Sequence, residues 1–454
     1  MELIIACLVF SVIILTIVLI SGKSKSAYSF VIAGRSVSSF RIAASLSSGF
    51  RDGAGIAAWV VFIYYFNIGA IWLFVGMALS LIFLSILSQK IRLMVEDTDI
   101  YSLNQYCSRF IGNKTGTITV LLLGTTAILV SSAQLHVAGN VLAALFDVSS
   151  LFGILFISIT VGLYLVIGGF KSVILTDLFE WLTLFVIFLV PFLINEKGVQ
   201  ITINWNSISS PGNLIYSLVP LVFLIIATGG DVWQRIFSAR NSRTARNGLL
   251  LTAPFYLILS VGVILFGLSV KAALPDVPAG KAFLLLFNSE IYSGSLLAVL
   301  GLFTVAAITS TVDTQTFVFS SAIVTSKGSQ INTNIEESKD KITLLRKVII
   351  SFLCLISIIS YLIGDIVIFL FSSYSISTIL FPVLILIVYR GSELTSSERF
   401  DKNISYVLLF SIFIYFFLWI IGLYSNLAFT LVAPTISTIG LISVYFLSKW
   451  KSEL

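Results

Sequence analysis

The chain has 454 residues, of which 58% are hydrophobic and 11% are charged, whereas about 25% of the residues in an average soluble domain are charged. This composition excludes a soluble fold, because the bulk of the chain is apolar enough to lie in a bilayer. The three cysteines, Cys7, Cys107 and Cys354, are odd in number and scattered, so they describe neither a disulfide framework nor a metal cluster.

Apolar runs follow one another along the whole chain, and each is long enough to cross a membrane as a helix of about 20 residues. The first follows Glu2 instead of a basic stretch and lacks a small-residue cleavage pattern, so we expect a retained helix and not a signal peptide. We predict an all-α multi-pass membrane protein with thirteen transmembrane helices. The runs lie at about Leu3–Ser21, Phe40–Phe66, Gly69–Ser88, Thr117–Phe146, Leu151–Ile167, Ser172–Ile194, Asn213–Thr228, Leu249–Val270, Ser293–Thr325, Leu345–Ile363, Ile366–Tyr389, Ile404–Leu423 and Ala428–Leu447.

The basic residues fall almost entirely on one side of this predicted topology. If the N-terminus is outside, only Lys197, Lys271 and Lys281 of the 27 Lys and Arg residues lie in outside loops, and Arg51 lies within a span. The others, such as the group from Arg235 to Arg246, lie in cytoplasmic segments, which are normally enriched in Lys and Arg. We therefore expect a cell (inner or plasma) membrane protein with a cytoplasmic C-terminus. Orientation also accounts for the net charge of +6, so no nucleic-acid partner is implied.

The segments between the spans are too short to fold as domains, and the longest, 326–347, is a charged, solvated loop. A GxxxxGK[ST] phosphate-binding motif is absent from the sequence, which argues against an ATP-driven pump and favours an ion gradient as the energy source. No nucleophile–base pair or metal-ligand cluster is visible, which argues against an enzyme, and no cofactor is expected.

Small and polar residues interrupt two of the runs in corresponding places of the two halves, at Ser47–Gly55 and at Ala227–Asp231. Backbone freed at such a break is tolerated at membrane depth only where it lines a cavity or binds a ligand. A lone glycine more often serves close helix packing. Two breaks five helices apart, each with an acid, instead indicate an inverted-repeat transporter with its sites at the midplane.

The long ninth helix carries Ala307, Ser310, Thr311 and Thr314, which share one face because they lie three, four and seven residues apart. Two hydroxyls on one face, together with carbonyls freed by a broken helix, would form the neutral oxygen shell that a dehydrated sodium ion needs. The hydroxyls could equally bond carbonyls of their own helix. The spacing alone leaves both interpretations open.

Four stretches of sequence, in this order, are similar to the sodium/solute symporter family of proline, pantothenate, sialic acid and sugar symporters. They are LSSGFRDGAG at 46–55, GGFKSVILTD at 168–177, DVWQRIFSARNSRTARNG at 231–248 and AAITSTVDTQ at 306–315, with a fainter match in AQLHVAGNVL at 133–142. The resemblance implies the leucine-transporter fold, in which five helices repeat in inverted topology, with one extra helix before them and two after them. The expected units are residues 1–37, 38–200, 201–390 and 391–454.

The resemblance also implies the sodium ligands: the carbonyls of Phe50, Gly53 and Ala307 and the hydroxyls of Ser310 and Thr311. Asp177 matches an acid that lies near this site in the family and helps to hold a second sodium ion in some members. Capping of free amides at a helix start is the alternative role for Asp177.

Asp52 is similar to the acid that supports sodium-dependent binding in proline-type symporters, but Arg51 and Asp313 depart from the family pattern. A charge at the midplane must be paired or solvated. Arg51 either forms an internal ion pair with Asp52, Asp177 or Asp313, or binds a substrate carboxylate through bidentate hydrogen bonds. Asp313 and Asp52 are also candidates for a second sodium site or for coupling.

The substrate is expected between the two breaks, near Gln134 and His136 and beside Ile226, Ala227 and Gly229. Ile225, Ile226 and Ala227 stand where sugar-transporting relatives present polar or aromatic groups, which counts against a sugar. An amino acid or a carboxylate with an apolar body fits better. His136 is either a hydrogen-bonded interior residue or a proton carrier.

The sequence therefore predicts a sodium-coupled symporter that imports a small organic solute by alternating access. Its expected partners are the solute, the sodium ion and the lipid bilayer, and we expect a monomer. Two alternatives stay open: a transporter-like sensor domain that acts through a partner protein, and an uncoupled or proton-coupled transporter.

Overall fold

The computed structural model of the protein describes residues 12–14, 16–17, 19–20, 26–49, 53–188, 200–210, 212, 215–287, 294–326, 335–363, 366–391, 397–423 and 427–453. These residues are almost entirely helical, and their single β-bridge joins Val37 to Ala239. The α-helices are α1 Ala27–Ile32, α2 Ser39–Gly49, α3 Gly53–Phe66, α4 Ile71–Met94, α5 Leu103–Phe110, α6 Asn113–Phe146, α7 Ser150–Gly168, α8 Phe170–Thr183, α9 Asn206–Ser209, α10 Ile215–Thr228, α11 Gly230–Ser238, α12 Ser242–Ala273, α13 Ala279–Phe287, α14 Gly294–Thr325, α15 Ile335–Ser360, α16 Ile366–Ser375, α17 Phe381–Arg390, α18 Glu398–Ile420 and α19 Val432–Glu453.

Ten helical segments among the described residues are long and apolar enough to cross a membrane. One of them, Ala54–Met94, has 41 residues, and as a single helix it would measure about 60 Å, twice the hydrocarbon thickness of a bilayer. It is divided by the 3₁₀ turn Asn67–Ala70, where Asn67 adopts a left-handed conformation with φ of 51°. The segment therefore contains two helices, α3 and α4.

The predicted count of thirteen spans stays a prediction. Most of the first predicted span, Leu3–Ser21, lies outside the described residues. The predicted span Ser172–Ile194 begins in α8 and runs into residues 189–199, which also lie outside them. The inverted 5+5 repeat and the boundaries of the four units likewise stay predictions.

Large apolar side chains cover the outside of the helices. Leu362 and Ile420 are 77% and 78% exposed, and Ile86 and Ile358 are exposed to a similar degree. Soluble monomers rarely expose large contiguous apolar patches, whereas lipid tails accommodate them without cost. The chain is an integral multi-pass membrane protein.

Polar residues are instead concentrated where α2, α8, α11 and α14 pack together in the interior. Each of these helices brings buried hydroxyl, carboxyl or guanidinium groups to the shared contact. Burial of such groups is costly unless they bond one another. The packing of these four helices positions the site described below.

The start of α8 is fixed by Gly169, which links it to α7. Gly169 has φ of +61°, and a Cβ atom on it would lie 2.7 Å from the main-chain oxygen of Phe30. Only glycine fits both the left-handed backbone and the close approach of α1. The Ser172 hydroxyl then donates to the Gly169 carbonyl at 2.6 Å in the first turn of α8.

Candidate functional site

A cavity lies between the end of α2 and the junction of α10 with α11. In the described part of the chain its wall is mostly apolar and aromatic, with six hydroxyl side chains, one amide side chain and one acid. Such a composition is typical of a small-molecule site. The described residues that line it are Gly49, Gly55, Trp59, Met77, Leu123, Thr126, Val222, Ile225, Ile226, Gly229, Gly230, Asp231, Ser310, Thr311, Thr314, Gln315, Leu370, Tyr374 and Ser377.

The helix breaks at Gly229, within the stretch Ala227–Asp231 where the sequence predicts a break. Here α10 ends at Thr228 and α11 begins at Gly230, and Gly229 has a non-helical ψ of 116°. The Trp233 indole nitrogen donates to the Ala227 carbonyl at 3.0 Å. A carbonyl freed by the break is therefore satisfied by a side chain of the next helix, as membrane depth requires.

The first predicted break is only partly described. Helix α2 ends at Gly49 and α3 begins at Gly53, while Phe50, Arg51 and Asp52 lie outside the described residues. The roles predicted for the Phe50 carbonyl, for Arg51 and for Asp52 stay predictions. Gly53 is the first residue of α3.

The hydroxyl pair on α14 meets the end of α2. The Thr311 hydroxyl donates to the Gly49 carbonyl at 3.3 Å, and the Ser310 hydroxyl lies 2.9 Å from that of Ser48. Ala307 lies one turn before Ser310 on α14 and is buried. These two hydroxyls thus bond groups of other helices and not carbonyls of their own helix, and the sodium ligand set stays a prediction.

Asp177 is the acceptor at the centre of the polar contact. It accepts from Arg235 Nη2 at 2.8 Å, from Ser310 Oγ at 2.7 Å and from Ser48 Oγ at 3.4 Å, and also from the Ser45 hydroxyl. Both charged side chains are buried, with 1% and 0% of the Arg235 and Asp177 side chains exposed. The carboxylate and the guanidinium therefore neutralise each other inside the protein.

Two expectations from the sequence are corrected here. Asp177 lies two turns inside α8, which begins at Phe170, so it does not cap the free amides of a helix start. Arg235, counted above with the cytoplasmic loop charges, is buried in α11. Its guanidinium bonds Asp177, Ser45 and Thr314 and leaves no exposed charge for a loop.

A second pair of acids lies beside this ion pair, between α8 and α14. Thr309 donates to Glu180 Oε1 at 2.6 Å, while Tyr164 and Thr176 donate to Asp313 Oδ2 at 2.7 and 3.2 Å. Both carboxyl groups are fully buried. Among the described residues, Glu180 Oε2 and Asp313 Oδ1 have no hydrogen-bond partner, and neither carboxyl has a cationic partner.

Gln134 and His136, which the sequence predicts at the substrate, bond main-chain groups of other segments. Gln134 Oε1 accepts from the Ala54 amide at 2.9 Å, and His136 Nδ1 lies 2.9 Å from the Ser360 carbonyl. Within the described part of the chain, neither residue lines the cavity. These bonds support the interpretation of His136 as an interior hydrogen-bonded residue, and the substrate role of both residues stays a prediction.

Ile226 and Gly229 line the cavity, whereas Ala227 bonds Trp233 through its carbonyl. Glu180, the ion-pair role of Arg235, and Asp231 as a cavity residue were not predicted from the sequence. The ion pair of Arg235 could have been predicted from its charge, since an arginine that follows the apolar stretch of a span needs a partner if it is buried.

No protein-family model matches the sequence, and no curated protein matches it either. Solved structures, by contrast, match over almost the whole chain.

A sodium-coupled sialic acid symporter in a substrate-bound, outward-open state superimposes with a TM-score of 0.76 at 14% identity, over 98% of this chain and 96% of that one. Mhp1, a nucleobase-cation-symport-1 family transporter in a closed conformation with bromovinylhydantoin bound, gives 0.61 at 13% identity, over 93% of this chain and 94% of the other. A manganese transporter from Eremococcus coleocola gives 0.51 at 13% identity, over 91% and 93% of the two chains. The chain has the fold of these membrane transporters, the leucine-transporter fold.

Proposed function

We propose that the protein is a sodium-coupled symporter of the sodium/solute symporter type, which imports a small organic solute by alternating access. Sodium would bind where α14 meets the end of α2, with the Ser310 and Thr311 hydroxyls as ligands. The carbonyls of Phe50, Gly53 and Ala307 complete the proposed set of ligands.

The contact of the α14 hydroxyls with the end of α2 carries this proposal. Thr311 reaches the Gly49 carbonyl and Ser310 reaches Ser48, so neutral oxygens from two distant helices lie together without a carboxylate among the proposed sodium ligands. Ser310 and Thr311 also line the cavity. An ion bound to them would join the two helices and organise the solute cavity at the same time.

A second cation is part of the proposal. Asp177 is already neutralised by Arg235, while Asp313 and Glu180 are buried without a described cation. Among the described acids, Asp313 is therefore the candidate for a second sodium ion or for coupling, and Asp52 stays a candidate from the sequence. A monovalent cation beside Asp313 would offset part of the buried negative charge.

The cavity wall supports a solute with an apolar body. Trp59, Val222, Ile225 and Ile226 give the wall an apolar surface, which suits an aliphatic or aromatic carbon body better than the hydroxyl-covered face of a sugar. Buried polar groups of a ligand need partners in the site. An amino acid or a carboxylate is therefore favoured over a sugar.

The test is the double substitution Ser310→Ala with Thr311→Ala, assayed by sodium-driven uptake in proteoliposomes. Loss of two oxygen ligands, each worth about 1.5 kcal/mol or more to a charged group, is expected to weaken apparent sodium affinity at least about a hundredfold. The matched control is Thr435→Ala with Ser443→Ala, because both hydroxyls are exposed and bond carbonyls of their own segment. Unchanged sodium-dependent uptake in the Ser310 and Thr311 variant would rule out this sodium site.

A further inference from the structure

Asp231 is the only charged residue among the described residues that line the cavity. It lies in the first turn of α11, directly after the break at Gly229, and its side chain is half-buried. The mostly apolar wall makes an isolated carboxylate there costly. A cation that binds the Asp231 carboxylate would therefore be stabilising.

Arg235 attracts the Asp231 carboxylate but does not form an ion pair with it. Its Nη1 donates to the main-chain carbonyl of Asp231 at 3.2 Å, while Nε and Nη2 bond Ser45, Asp177 and Thr314. The side chain of Asp231 forms no ion pair in the described part of the chain. Every guanidinium nitrogen of Arg235 is thus committed to other groups.

The backbone supports the carboxylate but does not neutralise it. The first turn of a helix favours an acid, because the free amides carry partial positive charge. This partial charge is smaller than the full charge of the carboxylate. The Val232 amide also donates to the carboxylate, and Asp231 lines the cavity without an ion-pair partner among the described residues.

The rest of the wall fits an organic cation. Trp59 and Tyr374 line the cavity together with Met77 and Ile226. Aromatic rings attract organic cations, and apolar side chains accommodate an aliphatic body. A wall of this kind combines one negative charge with a surface for a carbon skeleton.

We propose that the Asp231 carboxylate binds a protonated amine of the transported solute. This inference rests on the proposed function and narrows it: an amino acid or an amine is selected, and a simple carboxylate is not. The bond is charge-assisted, with the ammonium donating and the carboxylate accepting. A site built around such a bond rejects solutes that lack the amine, because the acid is then left buried and unpaired.

The test compares solutes that share one carbon skeleton and differ in their charged groups: leucine, isoamylamine and isocaproate, with parallel sets built on other aliphatic and aromatic skeletons. Binding is measured by thermal shift of the purified full chain in sodium chloride and in potassium chloride. Stabilisation is expected from amine-bearing members in sodium chloride and not from the simple carboxylates. Asp231→Asn is expected to weaken amine binding about 10-fold to 100-fold.

Asp231→Glu keeps the charge and is expected to retain selectivity for amines, which separates a charge effect from misfolding. Asp276→Asn, the same chemical change at an exposed position, is the matched control. The inference is overturned if simple carboxylates bind as well as amines, or if no amine-bearing solute binds. It is also overturned if Asp231→Asn keeps its selectivity for amines, which would mean that the wild-type carboxylate is paired within the protein. Absence of any sodium-dependent stabilisation in the wild type would instead count against the proposed function.

Discussion

Arg235 connects three helices through one guanidinium group, since it bonds Ser45 of α2, Asp177 of α8 and Thr314 of α14. Buried ion pairs contribute little net stability, because desolvation offsets the attraction between the two charges. Removal of only one partner is nevertheless strongly destabilising, because the other charge is then left buried and unpaired. The pair therefore acts chiefly to hold α2, α8 and α14 in one arrangement around the proposed sodium ligands.

We expect Arg235→Met to destabilise the protein by about 3–5 kcal/mol, because the Asp177 carboxylate is left buried without a cation. The double variant Asp177→Asn with Arg235→Met is expected to recover much of this loss, since neither charge is then left alone. Thermal unfolding in detergent measures both variants, with Arg243→Met at an exposed position as the control. A double variant as unstable as Arg235→Met would point to lost packing instead of an unpaired charge.

The sequence predicts which side chains lie together where all of them are on one helix. Ser310 and Thr311 are adjacent on α14, so their shared face follows from helical geometry. Arg235 and Asp177 are 58 residues apart, on helices whose contact depends on the packing of the whole bundle. No local pattern determines which acid a buried arginine meets.

At the scale of elements, glycines predict the break between α10 and α11, because a Gly-Gly pair in an apolar run interrupts a helix. What the sequence does not provide is how the break is satisfied. The Trp233 indole bonds the Ala227 carbonyl, and the Thr228 hydroxyl lies 3.2 Å from that of Ser377 on a later segment. These partners depend on tertiary contacts.

Gly169 sets where α8 begins, and with it the depth of Asp177 and Glu180. Gly169→Ala is expected to cost about 1–3 kcal/mol, because φ is +61° and the added Cβ meets the Phe30 carbonyl. Gly280→Ala in α13 is the matched control: its φ is ordinary and its Cβ meets nothing within 4 Å. Thermal unfolding of the two variants compares them directly, and equal midpoints would show that the α7–α8 link tolerates a side chain.

For the whole molecule, hydropathy predicts a multi-pass helical protein correctly but does not count its spans. The pattern separates helices only where polar residues intervene. Asn67 separates the predicted runs Phe40–Phe66 and Gly69–Ser88, and the structure divides the segment Ala54–Met94 at the same place. The cavity itself is a product of packing, since α3, α10, α11 and α14 each contribute only part of its wall.

The proposed sodium ligands and the solute cavity share Ser310 and Thr311, so the two binding events cannot be independent. Sodium that draws α14 toward the end of α2 also sets one wall of the cavity. Coupling of this kind is reciprocal and typically amounts to 1–3 kcal/mol, which corresponds to about 5-fold to 150-fold in affinity.

We therefore expect the best-binding solute of the thermal-shift screen to bind the protein more tightly in sodium than in potassium. Sodium is expected to bind more tightly in the presence of that solute, by the same factor. Titration calorimetry on the purified protein, with sodium varied at fixed ionic strength, measures both factors. Solute affinity that is equal in the two salts would mean that the shared wall does not transmit ion binding, and transport would then have to proceed without sodium coupling. Unequal factors would violate linkage for a single pair of sites and would require a further ion, for which the buried Glu180 and Asp313 carboxyls are candidates.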